Sequence, residues 1–197
     1  MTEIFTAPGT WDGGLYELCL ELPERGNEVI ARALATIWQV PALTGCYLTR
    51  DVGPEAQAQI SPWELPHEGH VYGVARSPSG QSCACGTYVS DFGSDGLWAV
   101  LYLPFGSLTT IYFLGGYPFG ETDPRIESSL LAVNAWLKDI AEVIYQDFRF
   151  RFGVIGFETN FEELRREALT GVPKTRSDGL LIGGEAGLQW YPPNYEA

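Results

Sequence analysis

Histidine, methionine and cysteine are scarce in this chain, at two, one and four among 197 residues. The scarcity narrows the available chemistry. A hydroxyl or thiol nucleophile needs a base beside it, so any Ser–His or Cys–His arrangement must use His67 or His70. Four cysteines are too sparse for a disulfide framework in a chain of this length. G-x-S-x-G, the P-loop and G-x-G-x-x-G are all missing. "PHEGH" is not H-E-x-x-H, because its histidines are three apart with Glu68 between them.

Positive charge is also in short supply. Twelve basic residues stand against 25 acidic ones, giving a formal charge of −13. Nucleic acid and anionic membrane surfaces both require a basic footprint, so neither is an expected partner. A basic protein is, because complementary fields speed and select encounter. The first twenty residues lack a basic start followed by an apolar run, and no N-x-[ST] acceptor occurs. A cytoplasmic protein with reduced thiols is expected. No charge lies between Asp95 and Glu121. Pro104, Gly106, Gly115, Gly116 and Pro118 interrupt that run, which therefore reads as a buried hairpin rather than a membrane span.

What is abundant is apolar and aromatic residues, 45% and 13% of the chain, enough for a substantial core. In "LYELCLEL" Tyr16, Leu18, Leu20 and Leu22 alternate with Glu17, Cys19 and Glu21, the period of a half-buried strand. A helix bearing Ile30, Leu34, Ile37 and Trp38 follows, then a strand in "LTGCYLTR". Residues 51–69 contain three prolines and read as a loop. "HVYGVAR" and "QSCACGTYV" flank a turn at "SPSG", and "LWAVLYLP" pairs with "SLTTIYFL". Asp123-Pro124 opens the best helix, its apolar residues recurring from Ile126 to Ile144. "FRFRFGVIGFE" is a strand, with Glu17 and Glu21 placed to pair with Arg149 and Arg151. Thr159 with Glu162, or Asn160 with Glu163, starts a short helix, and the tail forms a hairpin around "GGEAG".

These elements predict an α+β fold in a single domain over residues 1–197, with a largely antiparallel sheet, two strand–helix–strand units and helices packed on one face. The units, residues 15–50 and 107–158, read as a possible remote duplication, and the turns "LPFG" and "YPFG" echo each other.

Two constellations stand out. In a strand, Cys83 and Cys85 share one face with α-carbons nearly 7 Å apart, beyond easy disulfide reach. If Arg76 lies opposite Gln81, His70 falls on that face near Cys85, and His67 can fold in from the loop. Two thiolates and two imidazoles are a sensible zinc set, although a flat C-x-C grips an ion less well than C-x₂-C. Core packing without a cofactor is the expectation, and zinc is the alternative. The second constellation is acidic. Asp51, Glu55, Glu64 and Glu68 accompany Trp63, an aromatic suited to anchoring a partner. The competing expectation is a solvated loop with Trp63 folded onto the sheet.

The composition thus favours a non-catalytic cytoplasmic module that binds a basic protein partner, in the manner of inhibitors or immunity-type proteins. One alternative is a zinc-binding domain or metal-dependent enzyme using His67, His70, Cys83 and Cys85. Another is a small-molecule binder with a pocket lined by Trp98, Tyr102, Tyr112 and Tyr117.

Overall fold

The two-residue period of β1 (Leu15–Glu21) sends Tyr16, Leu18 and Leu20 to one side of a sheet and Glu17, Cys19 and Glu21 to the other. The computed structural model describes residues 3–64, 69–93, 96–115 and 123–194. Among them are seven further strands: β2 (Leu43–Tyr47), β3 (Val71–Arg76), β4 (Ser82–Asp91), β5 (Leu97–Pro104), β6 (Phe152–Phe157), β7 (Gly179–Gly184) and β8 (Gly187–Tyr191). They form one antiparallel sheet in the order β2-β3-β4-β5-β1-β6-β7-β8. The chain's first strand therefore lies inside the sheet, paired with β5 on one side and β6 on the other. The α+β class and the antiparallel sheet are as the sequence predicts.

The first face carries the larger core. α1 (Asn27–Trp38) and α3 (Pro124–Asp147) lie over it, burying Leu34, Ile37, Leu137 and Ile144 against Leu18, Leu20 and Leu101. Asp123 caps α3 by accepting the Arg125 N–H, with Pro124 behind it as a first helical residue that has no N–H to satisfy. Trp38, at the end of α1, lies over Gly45 of β2 and Gly73 of β3, and its indole N–H donates to Thr87 Oγ1 at 3.0 Å.

The second face is covered in two places. α4 (Phe161–Ala168) inserts Phe161 among Cys19, Trp98, Val100, Phe152, Val154 and Leu180. Of the two starts the sequence offers, Asn160 is the cap: its Oδ1 accepts from the Glu163 N–H at 3.4 Å, while the Glu163 carboxylate accepts from the Asn160 side-chain amide at 2.6 Å rather than from its backbone N–H. The amino-terminal segment lays Phe5 and Trp11 over Tyr47, Tyr72 and Ala84. The two long helices share one face, as expected, while α4 is on the other.

Both faces of β5 are thus covered and all eight of its residues are buried, which is why it reads as an unbroken apolar run. Its expected hairpin partner does not form. Residues 107–114 contain the end of the one-turn helix α2 (Phe105–Leu108) and a following turn. The amino-terminal segment takes the backbone groups there instead: Phe105, Gly106 and Ser107 donate to the carbonyls of Gly14, Asp12 and Thr10 at 2.9, 2.9 and 3.0 Å. The second strand–helix–strand unit accordingly runs β5–α3–β6. No helix among the described residues is long and apolar enough to cross a membrane.

Candidate functional site

Laterally between the two covers of the second face, β4, β5 and β1 present Tyr88, Tyr102 and Glu17, joined by His70 from the residue before β3. Glu17 is buried, yet neither of its oxygens is idle. Oε1 accepts from Tyr88 Oη at 2.9 Å, and Oε2 accepts from the Thr159 N–H at 3.0 Å and its hydroxyl at 3.3 Å. Burial pushes the carboxyl above the ordinary range. The Tyr88 and Thr159 donors oppose that rise without cancelling it, and Glu158 adds to it. The phenols of Tyr88 and Tyr102 are raised by burial as well.

His70 Nδ1 lies 2.9 Å from Tyr102 Oη, and the imidazole touches the rings of Tyr72, Tyr88 and Tyr102. Partial burial lowers its pKa, and the neighbouring Arg50 lowers it further. The exposed edge of His70 and the half-exposed rings of Tyr72 and Tyr88 make this a polar, aromatic window in an otherwise apolar face. Side chains of this kind combine contact area with directed hydrogen bonds, the composition of recognition surfaces.

The register of the β3–β4 hairpin decides what becomes of the C-x-C segment. Arg76 pairs with Ser82, not Gln81, because the turn closes with Ser77 donating to the Gln81 carbonyl and so holds one residue more than expected. A one-residue slip exchanges the faces of a strand. Cys83 and Cys85 therefore face Ala75 and Gly73 in the core beneath the helices, while His70 is on the opposite side of the sheet. The expectation that His70 and Cys85 share a face is corrected on this ground. His67 lies outside the described residues, among which no cluster of three or more potential metal ligands occurs.

All four thiols are free and buried. Burial pushes Cys46 up to about 11 and Cys83 to about 12, and raises Cys19 and Cys85 well above the ordinary thiol range. Glu17 beside Cys19 adds to its rise. Since the thiolate is the reactive form, the native protein should be silent to a thiol-specific chromogenic reagent and yield four equivalents only on unfolding. A fast native equivalent would reveal a thiolate that this packing does not account for.

The acidic segment runs along the free edge of the sheet. Cys46, at a positive φ of 74°, forms a bulge in β2, and its carbonyl takes the N–H of Ile60 at 2.9 Å. Within the loop Gln57 acts as the organiser, donating to the carbonyls of Thr49 and Val52 at 2.8 and 3.0 Å and accepting from the Thr49 N–H. A glutamine in a polar stretch carries no sequence signal for such a role. Trp63 is 59% exposed, and Leu48 and Val52 are 56% and 40% exposed. Trp63 therefore is not folded onto the sheet. Asp51, Glu55 and Glu64 are exposed too, whereas Glu68 lies outside the described residues. The segment's one cation, Arg50, stacks on Trp11 at 5.5 Å. Through Trp11, Tyr72 and His70 it connects the acidic loop to the aromatic window.

Other expected groupings are rearranged. Glu21 pairs with Arg165 of α4 at 2.8 Å, and Arg149 stacks on Tyr145 instead of meeting a β1 carboxylate. Trp98 and Tyr102 are buried on the second face, whereas Tyr112 packs toward Trp136 on the first, and Tyr117 lies outside the described residues. Comparison with protein-family profiles, curated proteins and solved structures found no significant match.

Proposed function

We propose that this protein is a non-catalytic recognition module that holds a basic protein partner on the acidic, tryptophan-bearing surface of residues 48–64, as an inhibitor or immunity-type protein would. The observation that carries this reading is the company Trp63 keeps. Three large apolar side chains, Leu48, Val52 and Trp63, are exposed on one segment beside Asp51, Glu55 and Glu64. Exposed apolar groups rimmed by charge are the anatomy of an interface, with an aromatic anchor and a charged surround that steers the partner. The window of His70, Tyr72 and Tyr88 extends that surface. The overall charge of −13 selects a basic partner.

The test is affinity capture from cell extract, followed by titration of the purified captured protein against wild type, Trp63→Ala and the double variant Glu55→Lys/Glu64→Lys. The expected partner is basic, and its affinity falls with added salt as screening shortens the electrostatic range. Loss of an aromatic anchor of about 2 kcal/mol corresponds to roughly thirtyfold weaker binding by Trp63→Ala. A partner bound equally by all three proteins would remove this surface from the proposal.

A further inference from the structure

The sheet ends on two edge strands, β2 and β8. Natural edges are guarded against pairing with another chain by bulges, charges or covering loops. β2 is guarded in this way, since it bulges at Cys46 and the acidic loop runs along it. β8 has none of these devices. Its sequence, "GLQWY", is uncharged in a chain of net charge −13. It pairs with β7 along its whole length without a register shift. Among the described residues, no segment outside the sheet hydrogen-bonds to its backbone.

The ladder fixes which backbone groups face outward. In antiparallel strands the N–H and C=O of one residue point the same way, and successive residues alternate. Gly183 donates to the Arg151 carbonyl at 2.9 Å, so its backbone groups face β6. Those of Ile182 and Gly184 therefore face β8, and their partners Gln189 and Gly187 face back at them. The N–H and C=O of Leu188 and Trp190 are left directed away from the sheet. Pro192, the next residue of that parity, has no N–H and ends the run. This edge fits itself. Turned about a twofold axis through Gln189, a second β8 runs antiparallel with its Trp190 opposite Leu188. The outward pair on each side of the axis then exchanges both N–H···O bonds. Leu188 meets Trp190 on the first face, and Gly187 lies opposite Tyr191 on the second, cross-strand pairs of the kind that stabilise a sheet. Glu185 is exposed at the β7–β8 turn, whereas Lys174 and Arg176 stand at the other end of the hairpin. The same axis therefore brings ends of opposite charge together.

We propose that the protein forms a twofold dimer in which β8 pairs with β8 of a second copy about Gln189, joining the two sheets into one. An isologous contact of this kind uses up the edge and closes at two copies. The joint is short beside the interfaces of obligate dimers, so the dimer dissociates at about 10–500 μM. It is independent of the acidic surface, which lies at the opposite edge.

Sedimentation equilibrium of the purified protein from about 5 μM to about 1 mM, in about 150 mM salt to screen the net charge, is the test. The mass is expected to rise with concentration from one chain to two and no further. Gln189 is exposed, so Gln189→Lys and Gln189→Glu spare the fold, which circular dichroism of each dilute variant checks. Each puts like charges on the axis, where facing α-carbons are about 4.5 Å apart. Each should weaken the dimer about tenfold or more. An equimolar mixture of the two variants should restore it, because lysine then faces glutamate. A monomer at every concentration or growth beyond two copies would overturn the proposal. So would unaltered association of both variants, or a mixture no tighter than its components.

Discussion

Gly73→Val is expected to lower stability by about 3 kcal/mol or more, a large share of the roughly 5–15 kcal/mol that holds a domain of this size together. The reason is the seat of Trp38. A side chain at Gly73 would overlap the Trp38 indole, and its first carbon would lie 2.7 Å from the Thr44 carbonyl oxygen. The facing residue across β2 and β3 is Gly45, where an added carbon would be 2.6 Å from the Gly73 α-carbon and 2.8 Å from the indole. The pair of glycines is thus a floor on which the tryptophan rests. Trp38 cannot withdraw without breaking its bond to Thr87, a group that is itself fully buried. Overpacking at one rigid contact usually costs about 1–3 kcal/mol; a branched side chain meeting an indole and a carbonyl at once belongs at or beyond the upper end. Urea denaturation measures the loss, and a double-mutant cycle with Trp38→Leu tests its cause. The leucine should cost less in the Gly73→Ala background than in wild type. Additive losses would mean that the clash is relieved elsewhere.

That contact illustrates what the chain's own pattern reveals and what it conceals. Trp38 announces itself as a core residue through helical spacing, and Gly73 appears only as an unremarked interruption of "HVYGVAR". Nothing local connects them, because the strand that carries Gly73 is fixed by β2 and β4 and not by α1. Local signals were otherwise reliable. The alternation of β1, the Asp123-Pro124 start of α3, the start of α4 to within a residue and the final hairpin each rest on residues within a turn or two of one another. The failures are all non-local or hinge on one residue. The extra turn residue between β3 and β4 carried His70 to the wrong face, and the amino-terminal segment took the backbone bonds that a β5 hairpin was expected to use. The candidate site suffers most from this. Glu17 and Tyr88 are 71 residues apart, and Glu17 and Thr159 are 142 apart. The sequence places Glu17 on a polar strand face, but the partners that bury it come from β4 and the β6–α4 turn.

Glu17 is therefore where pH should act on stability. Its carboxyl is raised above its ordinary value of 4.5 because burial outweighs the Tyr88 and Thr159 hydrogen bonds. An acid with a higher pKa folded than unfolded carries more protons in the native state, so stability falls as pH rises. The stabilising difference is present below about 4.5 and is lost as pH climbs through the raised native value. Asp178, raised by burial on the same side of the sheet, contributes in the same direction, and Asp178→Asn isolates its share. Glu17→Gln should flatten the profile above that point without loss of fold. The amide oxygen can accept from the Thr159 N–H while its NH₂ donates to Tyr88 Oη, since a hydroxyl accepts as readily as it donates. Glu17→Ala fills neither need. It leaves the Thr159 N–H and the Tyr88 hydroxyl without their acceptor and opens a space under the sheet, at a cost of about 2 kcal/mol relative to Glu17→Gln. Chemical denaturation from pH 4 to 8 separates the two variants: both lose the carboxyl and flatten the slope, and only the second also lowers the level. An unaltered slope in Glu17→Gln would mean that the carboxylate is as comfortable in this window as in water. The Tyr88 and Thr159 donors would then have offset its burial in full, leaving a charged group ready to meet a cation from a partner docked over His70 and Tyr88.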